Sequence, residues 1–445
     1  MTSSNEHQRT GVFRITPVSP LHIGSGQVLT PMDYEIRDGK FIVKDILRFI
    51  DAQRDDPGYA LQVIEDRKSI GEEFDRYALP CYDEVAPSTI SRAQERPLPP
   101  RRQPQMGKPG KMDRKMAAMM KKTKTLREQQ PAAAPVAATQ LRHSRQEQPG
   151  GEVREFIKDP FGKAYIPGSS LKGCLRTALA YTLVKAGALN MKLVDDLLEN
   201  NQARREWAFS KMSADLFCGD GKGDAKADIL KTLLVRDSEP LDFNAWGAMT
   251  YVRVMNDYRG RFDVKSGMPI RLETIMPGKG AIQIPFSVNL RLMELDRQDA
   301  LPLLQRAGKG KALSLLQNKE TFENALRLFS KALLEHELAF YQQYRQNAAP
   351  GLEFIQRLMK DQQDNNSIYL DLGFSTGWHT KTIGMALDEK DISDIRAHFG
   401  KYDTDRPNKN MGSPGVNLFP KTRKWAKTAD GYRPLGWIKL EIIQN

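Results

Sequence analysis

The sequence has few of the residues that metalloproteins and most hydrolases need in clusters. Its 445 residues include six histidines and three cysteines. No HExxH motif occurs, and Cys81, Cys174 and Cys218 form no CxxC pair, so the sequence predicts neither a disulfide framework nor a structural metal. A GxSxG elbow and a GxxxxGK[ST] loop are also missing, which disfavours a serine hydrolase and a P-loop nucleotide hydrolase. We therefore expect no metal and no cofactor.

Long apolar runs are missing as well. No stretch of about 18 consecutive apolar residues occurs, and the first ten residues (MTSSNEHQRT) lack the apolar segment of a secretory signal. These absences predict a cytoplasmic protein with no membrane partner. Lysine and arginine number 67 against 55 aspartates and glutamates, and the resulting net charge of +12 favours a polyanionic partner such as nucleic acid.

The hydrophobic pattern predicts a mixed fold. Alternation over 12–18 indicates a strand, and Asp38-Gly39 supplies the positive-φ pair of a tight hairpin turn within 33–43. Further strands are predicted near 231–240, 248–256 and 281–290, and helices near 191–217, 297–316 and 320–346. Because these elements interleave without a regular βαβ rhythm, the sequence predicts an α+β fold of ferredoxin-like (RRM-like) modules with a largely helical part.

Residues 92–150 differ in composition from the rest of the chain. They are rich in Pro, Ala, Gln and Lys, and 92–127 contains twelve cations against only Glu95 and Asp113. This composition predicts a long disordered basic insertion, for which an electrostatic contact with phosphates and a merely solvated loop both stay open. The length predicts more than one domain, and the insertion divides the chain into a first domain (1–91 with 151–290) and a C-terminal portion (291–445).

The stretch IPGSSLKGCLRTAL at 166–179 predicts the start of a helix that could hold a phosphate. The first turn of a helix leaves backbone N–H groups without partners and carries partial positive charge. An ordinary capped helix start has the same spacing, so both interpretations stay open. The candidate phosphate-binding residues are Gly168, Ser169, Ser170, Lys172 and Arg176.

Two glycine-containing loops also predict ligand contacts. LHIGSGQ (21–27) combines an imidazole with flexible backbone, and GFSTGWHTKTIG (373–384) combines glycines with an aromatic ring and a cation, which suits single-stranded RNA. A strand-end turn and a buried aromatic anchor are the alternatives. The candidate residues are His22, Gly24, Ser25, Gly26, Gly373, Ser375, Gly377, Trp378, His379 and Lys381.

Asp33 is the carboxylate that follows the first glycine loop. An acid beside a phosphate groove could position a 2′-hydroxyl for cleavage, so Asp33 and His22 are the weak candidates for catalysis by a ribonuclease. A carboxylate that holds a loop at a strand start is the more frequent role of such a residue. A noncatalytic RNA-binding protein is therefore the main hypothesis, and an endoribonuclease that cleaves precursor or target RNA is the alternative.

Taken together, LHIGSG, MDYEIRDG and IPGSSLKGCLRTAL resemble the RAMP superfamily of CRISPR effector proteins. The segments DLFCGD (215–220), LLVRDSEP (233–240) and YRPLGWIKLEI (432–442) add to the resemblance. Within the superfamily, the length, the Asp33-Tyr34 pair and the LGW segment are most similar to the capping subunit of type III-A Csm complexes. Residues 92–150 are not accounted for by it.

The resemblance implies a structural subunit that binds crRNA, caps its 3′ end and supports crRNA maturation in antiviral defence. It implies crRNA, target RNA and the neighbouring backbone RAMP and small subunits of the Csm complex as partners. The residues that match the family's RNA-contacting motifs are those of the helix start and the first glycine loop. The second glycine loop matches less closely. Recruitment of host nucleases through the basic insertion stays open as a further role.

Overall fold

The computed structural model describes residues 8–66, 70–83, 151–197, 202–218, 227–258, 261–264, 270–292, 310–344, 347–400 and 420–444. The described residues belong to one compact unit. The predicted insertion at 92–150 lies outside the described residues.

The described residues form fifteen strands. Their bounds are β1 Gln8–Pro17, β2 Gly24–Leu29, β3 Tyr34–Arg37, β4 Lys40–Lys44, β5 Asp75–Tyr82, β6 Val153–Phe156, β7 Leu233–Val235, β8 Gly247–Tyr258, β9 Arg261–Val264, β10 Ile270–Ile275, β11 Ile282–Asn289, β12 Ile368–Asp371, β13 Thr422–Thr428, β14 Gly431–Pro434 and β15 Trp437–Gln444.

The described α-helices lie mostly between these strands. Their bounds are α1 Ile46–Ala52, α2 Pro57–Glu65, α3 Gly168–Lys185, α4 Lys192–Leu197, α5 Gln202–Phe217, α6 Phe243–Trp246, α7 Gly310–Gln317, α8 Lys319–Gln343, α9 Ala349–Asn365, α10 Trp378–Lys381 and α11 Glu389–Gly400. None of the described helices is long and apolar enough to span a membrane.

A five-stranded sheet in the order β12-β15-β1-β11-β7 forms one part of the core. Its central strand β1 pairs antiparallel with β11, with Phe13 opposite Ile284, and with β15, with Phe13 opposite Ile442. The Phe13 ring stacks on Phe286 with centroids 4.1 Å apart. The inward face of this sheet is therefore fully apolar at its centre.

A second sheet of ten strands contains β2-β6-β10-β8-β5-β4-β3, with β9 and β13 also pairing with β8 and β14 pairing with β13. It confirms the predicted hairpin, because Asp38 and Gly39 have φ values of 53° and 73° between β3 and β4. Strands from before residue 91 and from after 291 occur in both sheets. The two predicted domains therefore do not correspond to separate sheets.

Helix α3 buries the face that the sequence predicts. The i, i+3, i+4 pattern of this helix places one apolar stripe on the core, and the stripe packs with α8. The buried residues of the predicted stripe are Leu171, Cys174, Leu175, Ala178, Leu179 and Leu183.

Some predicted elements are shorter than expected or divided. The predicted helix at 191–217 is two helices, α4 and α5, and of the helix predicted at 297–316 only α7, at its C-terminal end, lies among the described residues. The strand predicted at 231–240 is limited to β7 because Asp237 and Ser238 bind the segment that leads into α3: the Ser238 backbone N–H donates to the Ile166 carbonyl at 3.0 Å. The α+β prediction is confirmed.

Candidate RNA interface

Helix α3 begins directly against the end of β7. The backbone N–H of Gly168 donates to Oδ1 of Asp237 at 2.8 Å, and a Cβ at position 168 would overlap the carbonyl oxygens of Val235 and Arg236. Gly168 is buried as a result. The Asp237 carboxylate thus occupies part of the predicted phosphate seat, where it complements the partial positive charge of the helix start.

The two serines that follow are closer to the surface. Ser169 is exposed and Ser170 is partly exposed. The backbone N–H of Ser170 donates to the carbonyl of Pro167 at 3.0 Å, as in a tight first turn. The accessible groups at the helix start are therefore the serine hydroxyls rather than the Gly168 amide.

The cations of α3 lie on the next turns. Arg176 Nη1 donates to Oδ2 of Asp228 at 2.7 Å, and its Cζ lies 4.4 Å from the centroid of the Phe217 ring. Burial lowers the pKa of Lys172, an effect that Asp228 opposes and the charge of Arg176 reinforces. Lys172 and Arg176 therefore form one cationic pair, and both side chains are partly exposed.

The first glycine loop lies at the surface on strand β2. Gly24, Ser25 and Gly26 are exposed, and the pairing of β2 with β6 is interrupted between Gly24 and Val28. Gly26 has φ +91°, which glycine adopts without strain. The Ser25 hydroxyl accepts from the Gln27 backbone N–H at 3.0 Å. The irregular pairing leaves this backbone accessible to a ligand.

His22 is buried, with 1% of its surface exposed. Its Nδ1 lies 2.7 Å from the carbonyl oxygen of Glu273, and its ring lies edge-on to Phe156 and Phe374. Burial lowers the pKa of His22 to about 4, so the ring is neutral near pH 7. The imidazole is behind the loop and out of reach of a ligand at the surface. His22 is a positioning residue in this structure.

The second glycine loop packs directly on the first. The backbone N–H of Phe374 donates to the carbonyl of His22 at 2.8 Å. Gly373 has φ +82°, and a Cβ at that position would overlap the same carbonyl oxygen. Two loops that are about 350 residues apart in the sequence thus form one surface.

Two cations lie against the Phe374 ring at the junction of the two loops, and a third, Lys381, acts electrostatically on one of them. Arg154 Cζ lies 5.0 Å and Lys424 Nζ 4.2 Å from the centroid of its ring, and Lys424 donates to the Phe374 carbonyl at 2.6 Å. Burial lowers the pKa of Lys424; Asp371 opposes this effect, and the charges of Lys381 and Arg154 add to it. We name Arg154, Lys381 and Lys424 the loop-junction cations.

Sequence reasoning missed Arg154 and Lys424. No local pattern identifies Arg154, which is exposed on β6 although Val153 and Phe156 of the same strand are buried. Lys424 belongs to no recognisable motif. Its strand β13 pairs with β8, and its ammonium donates to the Phe374 carbonyl.

The residues of the second loop divide into inward and outward groups. Gly377 and Lys381 are exposed, and Trp378 is partly exposed. The Ser375 hydroxyl instead donates to the Asp371 carboxylate, and His379 is buried with its ring 4.2 Å from that of His336. The side chains of Ser375 and His379 therefore support the loop, whereas Gly377, Trp378 and Lys381 can meet a ligand.

Asp33 holds a turn. Its Oδ2 accepts from the backbone N–H of Thr30 at 2.7 Å and from the Thr30 hydroxyl at 2.8 Å. Among the described residues, no group of three or more His, Cys, Asp or Glu side chains could hold a metal ion. The structural role that the sequence favours for Asp33 matches these contacts.

Asp371 links the loop to a partly buried cavity of about 170 Å³. Burial raises the pKa of Asp371 to about 7, opposed by the Ser375 hydrogen bond and reinforced by the charge of Glu337. The carboxylate therefore changes its charge near neutral pH, beside the loop-junction cations.

This shift predicts a pH-dependent stability. The pKa of Asp371 is about 7 in the folded protein and near 3.8 when unfolded, so the folded state holds an extra proton between these values and its stability falls as pH rises through them. We expect Asp371→Asn to gain free energy of unfolding relative to the wild type between pH 5 and pH 8. Urea denaturation at both pH values measures the difference. A difference that does not change with pH would contradict the assignment.

Two sheets, interleaved helices and a surface formed by two glycine loops with nearby cations define this chain as an α+β protein. The RAMP superfamily matches residues 14–366. The chain belongs to the RAMP superfamily.

Two individual relatives share about a quarter of their residues with this chain. The CRISPR system Cms protein Csm5 of Methanocaldococcus jannaschii is 25% identical over 308 residues, 66% of both chains. The protein of that name from Streptococcus thermophilus is 24% identical over 305 residues, 68% of both chains.

Two solved structures share the fold. A chain of a Csm–crRNA–target RNA ternary complex of a type III-A CRISPR-Cas system is 22% identical, with TM-score 0.54, over 97% of this chain and all of that one. The crystal structure of T. onnurineus Csm5 is 21% identical, with TM-score 0.54, over 96% of this chain and 99% of that one.

Proposed function

We propose that the chain is a crRNA-binding structural subunit of a type III-A Csm complex. The observation that carries this proposal is the packing of the two glycine loops, in which Gly373 lies on the His22 carbonyl and Arg154 and Lys424 lie against the Phe374 ring. Glycine backbone allows a sugar-phosphate strand to approach closely, and the cations supply attraction to phosphates. The Csm5 relatives support the same function.

The binding surface extends from the loop junction to helix α3. Arg176 and Lys381 line one groove, so a cation of the second loop and a cation of the helix lie on the same side of the protein. Ser169, Ser170 and Lys172 continue this face at the helix start. A single strand that follows it would meet hydroxyl donors and cations in turn.

A noncatalytic role fits the placement of the two candidate catalytic residues. His22 is buried and neutral, and the Asp33 carboxylate accepts two hydrogen bonds from Thr30. General acid–base catalysis needs a side chain within reach of the reacting hydroxyl. We therefore expect the protein to bind labelled single-stranded RNA without cleaving it.

The partners follow from the same proposal. They are crRNA, target RNA, and the neighbouring backbone and small subunits of the complex, with this chain at the 3′ end of the crRNA. The recruitment of host nucleases through residues 92–150 stays a prediction.

Removing the helix cations tests the function. We expect Lys172→Gln with Arg176→Gln to weaken single-stranded RNA binding about tenfold or more, because hydrogen bonds to charged groups contribute about 1.5–3 kcal/mol each. Fluorescence anisotropy of the isolated protein measures the affinity, and the length and occupancy of crRNA are measured in purified complexes. Glutamine is used because a glutamate at 176 would repel Asp228, which pairs with Arg176.

Lys319→Gln with Lys331→Gln is the matched control. Both lysines are on α8, are 42% and 67% exposed, and pair only at the surface with residues four positions later. If the Lys172→Gln, Arg176→Gln variant binds RNA as tightly as this control does, the proposed function is contradicted.

A further inference from the structure

A large apolar groove lies beside the cationic face. It has a volume of about 850 Å³ and runs between α3, α5 and residues 378–395. Its walls include Val194, Leu216, Phe217, Ile383, Leu387 and Ile395. This volume lies within the range of pockets that enclose small ligands.

The edge of the groove is formed by residues of the RNA interface. Arg176, Trp378 and Lys381 line it. The guanidinium of Arg176 stacks over the Phe217 ring at 4.4 Å, and so presents a flat cationic group at the apolar wall. The Trp378 ring packs so closely on Gly384 that a Cβ there would overlap it. Flat groups and cations thus lie at the entrance, and aliphatic side chains lie inside.

This combination matches the chemistry of a nucleotide rather than of an acyl chain or a metal ion. Single-stranded RNA is bound by turning bases out of the strand onto aromatic rings and guanidinium planes, while cations hold the phosphates. Besides the two cations, the polar side chains of the lining are Thr177, Glu206 and Thr382, and the remaining lining is apolar or aromatic. Burial and stacking would therefore act on any base.

We infer that the groove takes one nucleobase turned out of the RNA strand that the cationic face holds. The inference rests on the proposed function, because the strand must already lie along Lys172, Arg176 and Lys381. The phosphates on either side of that nucleotide would meet Arg176 and Lys381, and the base would enter beside Trp378.

An abasic scan of the RNA tests the inference with the unaltered protein. A single-stranded RNA is prepared with one abasic nucleotide at each position in turn, and its affinity is measured by fluorescence anisotropy. We expect one position at which loss of the base weakens binding about tenfold, within the range for one stacked base. If the intact RNA binds but no abasic position weakens binding, the inference is overturned and the proposed function stands. If the intact RNA does not bind at all, the proposed function itself is overturned.

A groove variant locates the sensitive base. Ile383→Gln with Leu387→Gln makes two walls polar without changing the charge that attracts RNA. We expect this variant to bind intact RNA about as weakly as the wild type binds the sensitive abasic RNA, with no further loss for the abasic RNA. Leu328→Gln, at a 44% exposed residue of α8 outside the groove, is the control and is expected to retain the wild-type difference.

Two outcomes overturn the nucleobase site. In the first, the groove variant keeps the full difference between intact and abasic RNA. In the second, the groove variant binds both RNAs as the wild type does but no longer assembles with the other subunits, which would make the groove a protein-docking site.

Discussion

Replacing Arg154 with glutamate and Lys424 with glutamine lowers the affinity for single-stranded RNA by about 100-fold. Both cations lie against the Phe374 ring, where the glycine loops meet. A hydrogen bond to a charged group contributes about 1.5 kcal/mol or more, so two lost contacts amount to about 3 kcal/mol. The salt dependence changes too, since each phosphate contact contributes about 0.7 to the logarithmic slope for a single strand. Anisotropy titrations over a series of salt concentrations measure both quantities.

The control for this variant carries the same change in charge elsewhere. Arg54→Glu with Lys331→Gln alters two residues that are 78% and 67% exposed and take part in surface ion pairs. It should bind RNA within about threefold of the wild type, because exposed pairs contribute little and distant charges are screened. Equal losses in the two double variants would mean that net charge, rather than the loop junction, attracts the RNA.

Gly373→Ala is expected to destabilise the protein by about 3 kcal/mol. Position 373 has φ +82°, and an added Cβ would overlap the His22 carbonyl oxygen. The left-handed conformation costs an L-residue about 1–2 kcal/mol, and moving the loop also breaks the hydrogen bond from Phe374 to His22, which contributes about 1 kcal/mol. Chemical denaturation measures the loss of free energy of unfolding. RNA affinity should fall with it, since the junction is displaced.

The same loop offers a matched glycine. Gly377 has φ −120°, and a Cβ there would meet no atom within 4 Å. Gly377→Ala should therefore change the stability by less than about 1 kcal/mol. If the two alanine variants unfold at the same denaturant concentration, the packing of the loops is not what holds this surface.

Local patterns predicted several elements of the fold. The stripe of α3 and the turn at Asp38-Gly39 depend on neighbours within a few residues, and both are confirmed. The glycine loops were recognised because glycines occur close to an imidazole in the first loop and to an aromatic ring and a cation in the second. The positions of these loops relative to each other depend on pairing between β1 and β15 and between β2 and β6, which no local pattern specifies.

The direction of individual side chains was not predictable for the same reason. Ser375 faces inward because Asp371 lies beside it, and the Gly168 amide is occupied because Asp237 reaches it from the end of β7. His22 is buried between two phenylalanines, one of which lies about 350 residues away in sequence. A motif identifies which residues are near a surface, but long-range packing determines which of their atoms reach it.

The pairing of β1 with β15 also constrains how the protein is made. Residues Gly11–Pro17 are synthesised long before both of their partner strands, Ile282–Asn289 and Ile438–Gln444, and edge strand β12 pairs with the later of the two. During synthesis β1 therefore has no partner on either side until residue 289 is made and lacks one partner until residue 444, which exposes it to association with other chains. Chaperone contact with the nascent N-terminal strand would shield it until translation reaches residue 444.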